Sequence, residues 1–255
     1  FLRFGGPKFK DLMLMGDCGA FAYVEHPKPA YSPAEVVDFY TEAGFTHGVS
    51  PDHIIFDCDL DNPSSKSVSK EVRERFDITL SNAREFIQLA KQAQAPFVPL
   101  GAVQGWSPAS MADSAQHLEK MGYRYLAIGG LVPLKVDAIK AVLAAIRLRI
   151  SASTDIHLLG FAKADQIQDF TSFGITSFDS TSPLIRAFKD EKANYYIESP
   201  NGGLDYYTAI RVPQAIENAR LMQGVKRGLF NAEDLQKREQ LALSTLRAYD
   251  QGLAT

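Results

Sequence analysis

The chain has 255 residues, 45% hydrophobic and 22% charged, a length that suits one large α/β domain or two small ones. No apolar run approaches the roughly 18 residues that a membrane span requires, and the many aromatic residues exclude a disordered chain. With 27 Lys and Arg against 30 Asp and Glu, the net charge of -3 excludes a general basic surface. Any nucleic acid would therefore bind a local patch.

The cysteine content indicates a reducing compartment. Cys18 and Cys58 are too few for a disulfide framework, and by themselves they cannot form a structural zinc site. We therefore expect a cytoplasmic protein without a membrane partner.

Short apolar runs alternate with longer amphipathic stretches. The predicted strands are Leu12–Gly16, His53–Asp57, Phe97–Gln104, Tyr125–Gly130, Ile156–Phe161 and Thr176–Asp179. The predicted helices are Pro33–Ala43, Lys70–Gln94, Pro108–Met121, Lys135–Ile150 and Asp165–Phe173. Because a parallel crossover needs about a dozen residues, usually a helix, this alternation favours a parallel sheet.

The absence of two nucleotide-binding motifs reduces the number of folds that the sequence can have. No G-x-G-x-x-G follows the first strand and no Walker A lysine motif occurs, which weakens dinucleotide-binding and P-loop interpretations. A (β/α)8 barrel typically takes about 250 residues, and six of its units are visible. We therefore predict an α/β, TIM-barrel-like (β/α)8 catalytic domain over residues 1–198. A loop and a helical C-terminal extension, residues 199–255, would pack on it, with the helical tail over Arg211–Ala254.

Polar groups follow the predicted strands at their carboxyl ends. They are Asp17, Asp57 with Asp59, Gln104, Gly129-Gly130 and Asp179. In a parallel barrel these ends meet at the mouth that holds the active site. Carboxylates there can divide into acid, base and nucleophile when their environments separate their pKa values. The alternative is that such Asp residues cap helices.

Five short blocks occur in a fixed order. They are Gly16-Asp17-Cys18-Gly19-Ala20-Phe21, Phe56-Asp57-Cys58-Asp59, Val103-Gln104-Gly105, Ala127-Ile128-Gly129-Gly130-Leu131 and Ser177-Phe178-Asp179-Ser180. No single block is specific, but the ordered set resembles the tRNA-guanine transglycosylase superfamily, which exchanges a guanine in nucleic acid for a 7-deazaguanine. The first block, read with Ser50-Pro51-Asp52-His53-Ile54-Ile55, is most similar to the DNA-modifying branch.

The resemblance implies the catalytic residues. Asp179 matches the nucleophile that would carry the covalent nucleic acid intermediate, and Asp17 matches the general acid/base that protonates the departing guanine. Breaking an N-glycosidic bond with retention needs both groups. The target guanine must also leave the base stack first.

The resemblance also implies the base-binding residues. Asp57 would read the ring N–H and exocyclic amine of guanine, because a carboxylate accepts both. Phe21, with Tyr23, would sandwich the exchanged base. Base recognition would be completed by Gln104 and by the backbone of Gly129, Gly130 and Leu131.

Three further side chains could instead belong to the protein interior. No His is placed by a motif to activate Cys18, so a small packing residue is expected there. Trp106 could stack on a base or pack between helices, and His157, on a predicted strand, is typical of a core histidine. Six basic residues could form a local patch or a solvated helix face: Lys189, Lys192, Arg211, Arg220, Lys226 and Arg227.

The chain departs from the family pattern after the nucleophile. Family members usually carry a Cys-x-Cys-x-x-Cys plus His zinc site there, whereas no Cys or His follows His157 here. We therefore expect no zinc or other cofactor. Neither the helical insert of bacterial members nor the archaeal RNA-binding domain is found, which fits DNA better than tRNA.

The leading hypothesis is a transglycosylase that replaces guanine in DNA by a 7-deazaguanine, 7-cyano-7-deazaguanine being favoured. The same exchange on tRNA is the first alternative, and a non-catalytic nucleic-acid-binding subunit is the second. A third is an unrelated barrel that binds a phosphorylated metabolite at Gly129-Gly130. The sequence leaves open whether a helper protein opens the duplex.

Overall fold

The structure, a computed structural model, describes residues 11–57, 59, 68–161, 164–189, 195–207, 212 and 218–253. The chain divides into two compact units, Phe1–Thr181 and Ser182–Thr255. The division into a catalytic domain over 1–198 and an extension over 199–255 stays a prediction. Within the described ranges, no helix is both long and apolar enough to cross a lipid bilayer.

The first unit is built on a parallel sheet whose strand order follows the chain. The strands are β1 (Met15–Gly16), β2 (His47–Val49), β3 (Val98–Val103), β4 (Tyr125–Ile128), β5 (Asp155–Leu158) and β6 (Ile175–Phe178). Each strand pairs in parallel with the next. This sequential order is that of a TIM-type barrel, whereas a doubly wound sheet reverses its order at a switch point. The predicted α/β, barrel-like class is confirmed, and eightfold closure stays a prediction.

Helices cover one face of this sheet. They are α1 (Pro33–Glu42), α2 (Lys70–Gln92), α3 (Pro108–Met121) and α4 (Val136–Arg147), with 3₁₀ helices over Ala20–Tyr23 and Ala164–Phe173. Ser32 and Ser107 cap α1 and α3, and each is followed by a proline in the first turn. The main core packs these helices against the sheet, and a smaller cluster lies on the other face.

The second strand is not where the sequence places it. The structure forms β2 over His47–Val49, and residues 53–57 have no strand structure. Ser50 still donates its N–H to the Leu100 carbonyl, at 2.9 Å, but Pro51 lacks the N–H that a further ladder bond needs. The prediction of a strand at 53–57 is therefore wrong, because its isoleucines are buried in a loop rather than in the sheet.

A tyrosine fixes the first two strands. Gly16 and Gly48 are register partners on β1 and β2, and Tyr40 of α1 lies across both, so that a Cβ at either position would overlap its ring. The Tyr40 hydroxyl donates to the Val49 carbonyl at 3.2 Å. The glycines therefore allow α1 to hold β1, the strand that leads into Asp17.

We expect Gly48→Ala to lower the free energy of unfolding by about 1–3 kcal/mol, because it overpacks a filled site. Urea denaturation followed by circular dichroism measures this. Gly203→Ala is the control, since a Cβ at Gly203 meets nothing within 4 Å. Equal unfolding midpoints for the two variants would contradict the packing argument.

The second unit contains a hairpin and helices. The hairpin pairs β7 (Tyr195–Glu198) with β8 (Leu204–Tyr207), and the helices are α5 (Ser182–Lys189), α6 (Ala219–Lys226) and α7 (Ala232–Asp250). The sequence predicts a loop at 198–207, but residues on both sides of the turn pair as strands, and Gly202 supplies its positive φ of 82°. In the described part of the predicted tail, Gly228, with a φ of 71°, separates α6 from α7.

Candidate active site

Three carboxylates gather at the carboxyl edge of the sheet. Asp17 directly follows β1, Asp52 lies three residues after β2, and Asp179 directly follows β6. Strands that run in parallel bring their carboxyl ends to the same edge. The charge of Asp17 acts on Asp52, and that of Asp179 acts on Asp17. The structure therefore brings together the two predicted catalytic residues and Asp52, a carboxylate that is not among the predicted site residues.

Asp52 is held by side chains that follow β1 and β3. It is 2% exposed, its Oδ1 accepts a hydrogen bond from the Cys18 thiol at 3.1 Å, and its Oδ2 accepts one from Gln104 Nε2 at 2.6 Å. Tyr23 donates its hydroxyl hydrogen to the Asp52 carbonyl at 3.0 Å. Burial raises the pKa of Asp52 to about 6, helped by the charge of Asp17 and opposed by the thiol and amide hydrogen bonds.

Gln104 is the residue that orients Asp52. Its side-chain oxygen accepts the Ile55 N–H at 3.2 Å while its nitrogen donates to Asp52, and it is 1% exposed. A Cβ at Gly129 would overlap the Gln104 amide, and Gly130 adopts a φ of 71°. Gly129 therefore allows the Gln104 side chain to approach the backbone closely.

The predicted roles of these residues in base recognition are not tested by this arrangement. Gly129, Gly130 and Leu131 lie between β4 and α4, with Leu131 buried.

Asp17 has an environment that favours its protonated form. Its carboxylate accepts hydrogen bonds from the backbone N–H groups of Cys18 and Gly19, which lower its pKa. Although Asp17 is exposed, partial desolvation of its carboxylate by the surrounding protein raises the pKa more strongly than these hydrogen bonds lower it. The charge of Asp179 adds to the rise. The net result is a raised pKa, as a general acid requires.

Asp179 has the opposite environment. Its Oδ1 accepts the Gly160 N–H at 2.9 Å and lies 3.2 Å from His157 Nε2. Partial burial favours the neutral acid, but the hydrogen bonds from His157 and Gly160 outweigh it and lower the pKa of Asp179. With 54% of its side chain exposed, Asp179 is an ionised and accessible carboxylate. Opposite pKa shifts in two adjacent carboxylates are typical of an acid and nucleophile pair.

The aromatic residues after Asp17 divide into an exposed and a buried one. Phe21 is 64% exposed, and its ring centroid lies 5.9 Å from that of the exposed Phe56. Tyr23 is buried, and its hydroxyl lies 3.1 Å from the Cys18 thiol. The prediction that Tyr23 sandwiches a base is therefore wrong, because its ring is in the interior, whereas the role of Phe21 stays a prediction.

Two packing predictions are confirmed. Trp106 is buried, with its ring 5.2 Å from that of Phe76. Cys18 is buried as well, and burial raises the pKa of its thiol well above the usual range, so that it is not a thiolate nucleophile. Beyond packing, Cys18 donates the hydrogen bond to Asp52.

The structure does not bring Asp57 to the site. Its side chain is exposed, on a segment outside the sheet. The sequence signal for Asp52 is weak, because it consists only of the three strand residues His47–Val49 and a proline directly before the aspartate. The role of Asp57 in base recognition stays a prediction, and Asp52 is the aspartate that lies near the observed strand end.

The remaining predicted features concern a metal and a basic patch. Within the described ranges, no three His, Cys, Asp or Glu side chains are grouped as metal ligands, and no Cys or His follows His157 in the sequence. The residues present there do not fit the zinc site of the family. Of the six basic residues, Arg220, Lys226 and Arg227 are exposed, and the side chains of the others lie outside the described part.

A sequentially ordered parallel sheet with two carboxylates of opposite pKa shift at its carboxyl edge defines a barrel-like α/β protein, and this pair of carboxylates is typical of a site for glycosyl transfer. Residues 8–192 match the family described as Queuine tRNA-ribosyltransferase, and the chain belongs to this family. The predicted resemblance is thereby confirmed.

The chain is also similar to a bacterial protein whose name refers to DNA. It is 41% identical over 241 residues to a Salmonella montevideo protein named "DNA-guanine transglycosylase". The match covers 94% of this chain and 56% of that protein, so the chain spans little more than half the length of the relative. The predicted similarity to the DNA-modifying type is confirmed.

Proposed function

We propose that this protein replaces guanine in DNA by a 7-deazaguanine, through a covalent intermediate on Asp179. The observation that carries the proposal is the opposite environment of two carboxylates at one edge of the sheet, Asp17 with a raised and Asp179 with a lowered pKa. Family membership and the name of the Salmonella montevideo relative support guanine as the exchanged base.

In the first step, Asp179 attacks the sugar carbon C1′ that carries guanine. A bond forms between C1′ and Oδ2, and the bond from C1′ to the base nitrogen breaks, with its electron pair leaving on the base. Asp17, whose pKa is raised, transfers a proton from its carboxyl group to the departing base. The products are free guanine, a glycosyl ester on Asp179 and ionised Asp17.

In the second step, the incoming base reverses these events. Its ring nitrogen attacks C1′ and loses a proton to Asp17, and the ester bond breaks with its electron pair returning to the Asp179 carboxylate. Both residues then have their starting protonation, and two inversions at C1′ give overall retention.

Asp52 takes the role of reading the base in this proposal. A carboxylate has about four acceptor sites, and the thiol, Gln104 and the backbone N–H of Asp52 itself use three. The remaining site can accept an N–H that guanine and 7-deazaguanines share, at the ring nitrogen or at the exocyclic amine. Because Asp52 is almost fully buried, this bond would form with water excluded, where it is strongest.

The exchange on tRNA is the second candidate, favoured by the description of the matched family. A non-catalytic subunit is less consistent with the site, because a silent chain has no need for the separated pKa values of Asp17 and Asp179. For DNA we propose 7-cyano-7-deazaguanine as the incoming base, and a helper protein that opens the duplex remains part of the hypothesis.

The test is incorporation of labelled 7-cyano-7-deazaguanine into plasmid DNA and, in parallel, into bulk tRNA. We expect label in DNA alone, and none with Asp179→Asn. Label in tRNA alone would replace the proposal by the tRNA reaction. Label in neither, with heat-denatured plasmid included to remove the need for a helper, would contradict base exchange by this chain.

A further inference from the structure

A chain of hydrogen bonds runs beneath the nucleophile. His157 lies on β5, and because Ile156 and Leu158 belong to the main core, its side chain faces the other side of the sheet. His157 Nδ1 lies 2.6 Å from Ser177 Oγ, which lies 2.6 Å from the Tyr125 hydroxyl. With Nε2 at 3.2 Å from Asp179, the chain crosses three adjacent strands, β4, β5 and β6.

The donor and acceptor of each of these hydrogen bonds follow from the groups at the two ends of the series, Asp179 and Tyr125. Ionised Asp179 can only accept, so His157 Nε2 carries a hydrogen, and in a neutral imidazole Nδ1 then accepts the Ser177 hydroxyl hydrogen. Ser177 in turn accepts from Tyr125. Burial raises the pKa of Tyr125, so its hydroxyl keeps the hydrogen that it donates. Every donor therefore points towards Asp179.

We propose that His157 is the positioning residue of the nucleophile, with its tautomer fixed by Ser177 and Tyr125. The inference rests on the proposed function, because it assigns Asp179 the attack on C1′. Among the described residues, the hydrogen bonds from His157 and Gly160 both fall on Oδ1. The second oxygen, Oδ2, is thereby left to form the bond to the sugar.

The N–H groups of His157 and Gly160 remain hydrogen-bonded to Oδ1 in both steps of the proposed exchange, and neither group transfers a proton. When the C1′–Oδ2 bond forms, Oδ1 becomes the carbonyl oxygen of the ester and keeps its hydrogen bonds. When the ester breaks, negative charge returns to the carboxylate, and the preorganised N–H groups of His157 and Gly160 stabilise it. His157 keeps its hydrogen throughout, so it positions Asp179 and takes no part in proton transfer.

Two substitutions separate this role from simple space filling. His157→Gln places an amide N–H where Nε2 lies, whereas His157→Asn can reach Ser177 but not Asp179. We expect His157→Asn to lower the rate of adduct formation and kcat roughly 10- to 100-fold, the effect of one hydrogen bond to a charged group. KM for the incoming base should stay unchanged, because Asp52 is untouched. His157→Gln should recover most of the rate.

A titration tests the inference without the exchange reaction. The ¹³C carboxyl resonance of Asp179, assigned by its loss in Asp179→Asn, reports the pKa of this carboxylate. Among the described residues, the other titratable groups near these hydrogen bonds are Asp17, directly after β1, Asp155, at the start of β5, and His47 on β2, whose ring lies 6.1 Å from that of Tyr125. All three are present in every variant. We expect the pKa of Asp179 to rise in His157→Asn and to stay near the wild-type value in His157→Gln.

The outcomes distinguish the two proposals. Absence of an adduct in the wild type would overturn the proposed function, while the titration still decides whether His157 sets the pKa of Asp179. Coincident titration curves for wild type and His157→Asn would overturn the inference about His157. If His157→Asn does not fold, Ser177→Ala breaks the chain one step earlier and should raise the pKa of Asp179 less. An unchanged curve for Ser177→Ala would then overturn the inference.

Discussion

Asp179→Asn is expected to abolish the covalent adduct and to lower base exchange by roughly 10⁴-fold or more, the scale on which removal of a catalytic nucleophile acts. The amide keeps the shape of the side chain, and its oxygen can still accept from His157 and Gly160, so the fold should be unaffected. The measurement is a denaturing gel of protein incubated with a labelled guanine-containing oligodeoxynucleotide.

Asp38→Asn is the matched control, because Asp38 is exposed on α1 and loses the same charge outside the site. It should form as much adduct as the wild type. An undiminished adduct with Asp179→Asn would show that another group attacks the sugar and would remove the assignment.

Asp52→Asn is expected to lower kcat/KM for base exchange by at least about 100-fold. The amide presents an N–H donor where the base presents donors of its own, and each lost hydrogen bond to a charged group costs about 1.5–3 kcal/mol. Asp57→Asn makes the same change on the exposed loop and should stay within about twofold. Steady-state kinetics with both variants decide which aspartate reads the base, and a larger loss with Asp57→Asn would reverse the assignment.

The raised pKa of Asp52 also predicts that KM for the incoming base depends on pH. As pH falls through about 6, its carboxyl gains a proton and loses acceptor capacity, so KM for the incoming base should rise on the acid side and level off above neutrality. Stability changes in the opposite sense. The pKa of Asp52 is higher in the folded state than in the unfolded state. Its favourable contribution to the free energy of unfolding is therefore present at low pH and is lost as pH rises through about 6.

The stability effect can be measured directly. A rise in pKa from 3.8 to about 6 corresponds to roughly 3 kcal/mol of unfolding free energy lost between acid and neutral pH. Urea denaturation at several pH values should show this loss in the wild type and a smaller one in Asp52→Asn. Identical pH profiles would contradict the raised pKa of Asp52.

Local chemistry explains which parts of the fold could be predicted. Helices α1 and α3 were found because Ser32-Pro33 and Ser107-Pro108 combine an N-cap with a proline in the first turn. The strand β2 was missed because only three residues pair there, and a longer apolar run follows in the loop. Short strands leave little periodic pattern, so their positions depend on the neighbouring strands.

The candidate site was predicted where a residue directly follows a strand, as Asp17 and Asp179 do. The partners of these residues could not be predicted, because the hydrogen bonds join positions far apart in the chain. Cys18 and Asp52 are 34 positions apart, and Gln104 and Asp52 are 52 apart. His157 is buried, as predicted for a core histidine, but its two ring nitrogens have polar partners that only the register of β5 with β6 reveals.

Strand β1 has only two paired residues, yet Asp17 and the Cys18 thiol that donates to Asp52 come directly after it. A segment with so few ladder bonds depends on the Tyr40 ring to stay closed and opens once this packing loosens. Local opening there would displace Asp17 and remove the thiol hydrogen bond of Asp52 together, while the remaining strands stay paired. On heating, the protein should therefore lose activity before it melts.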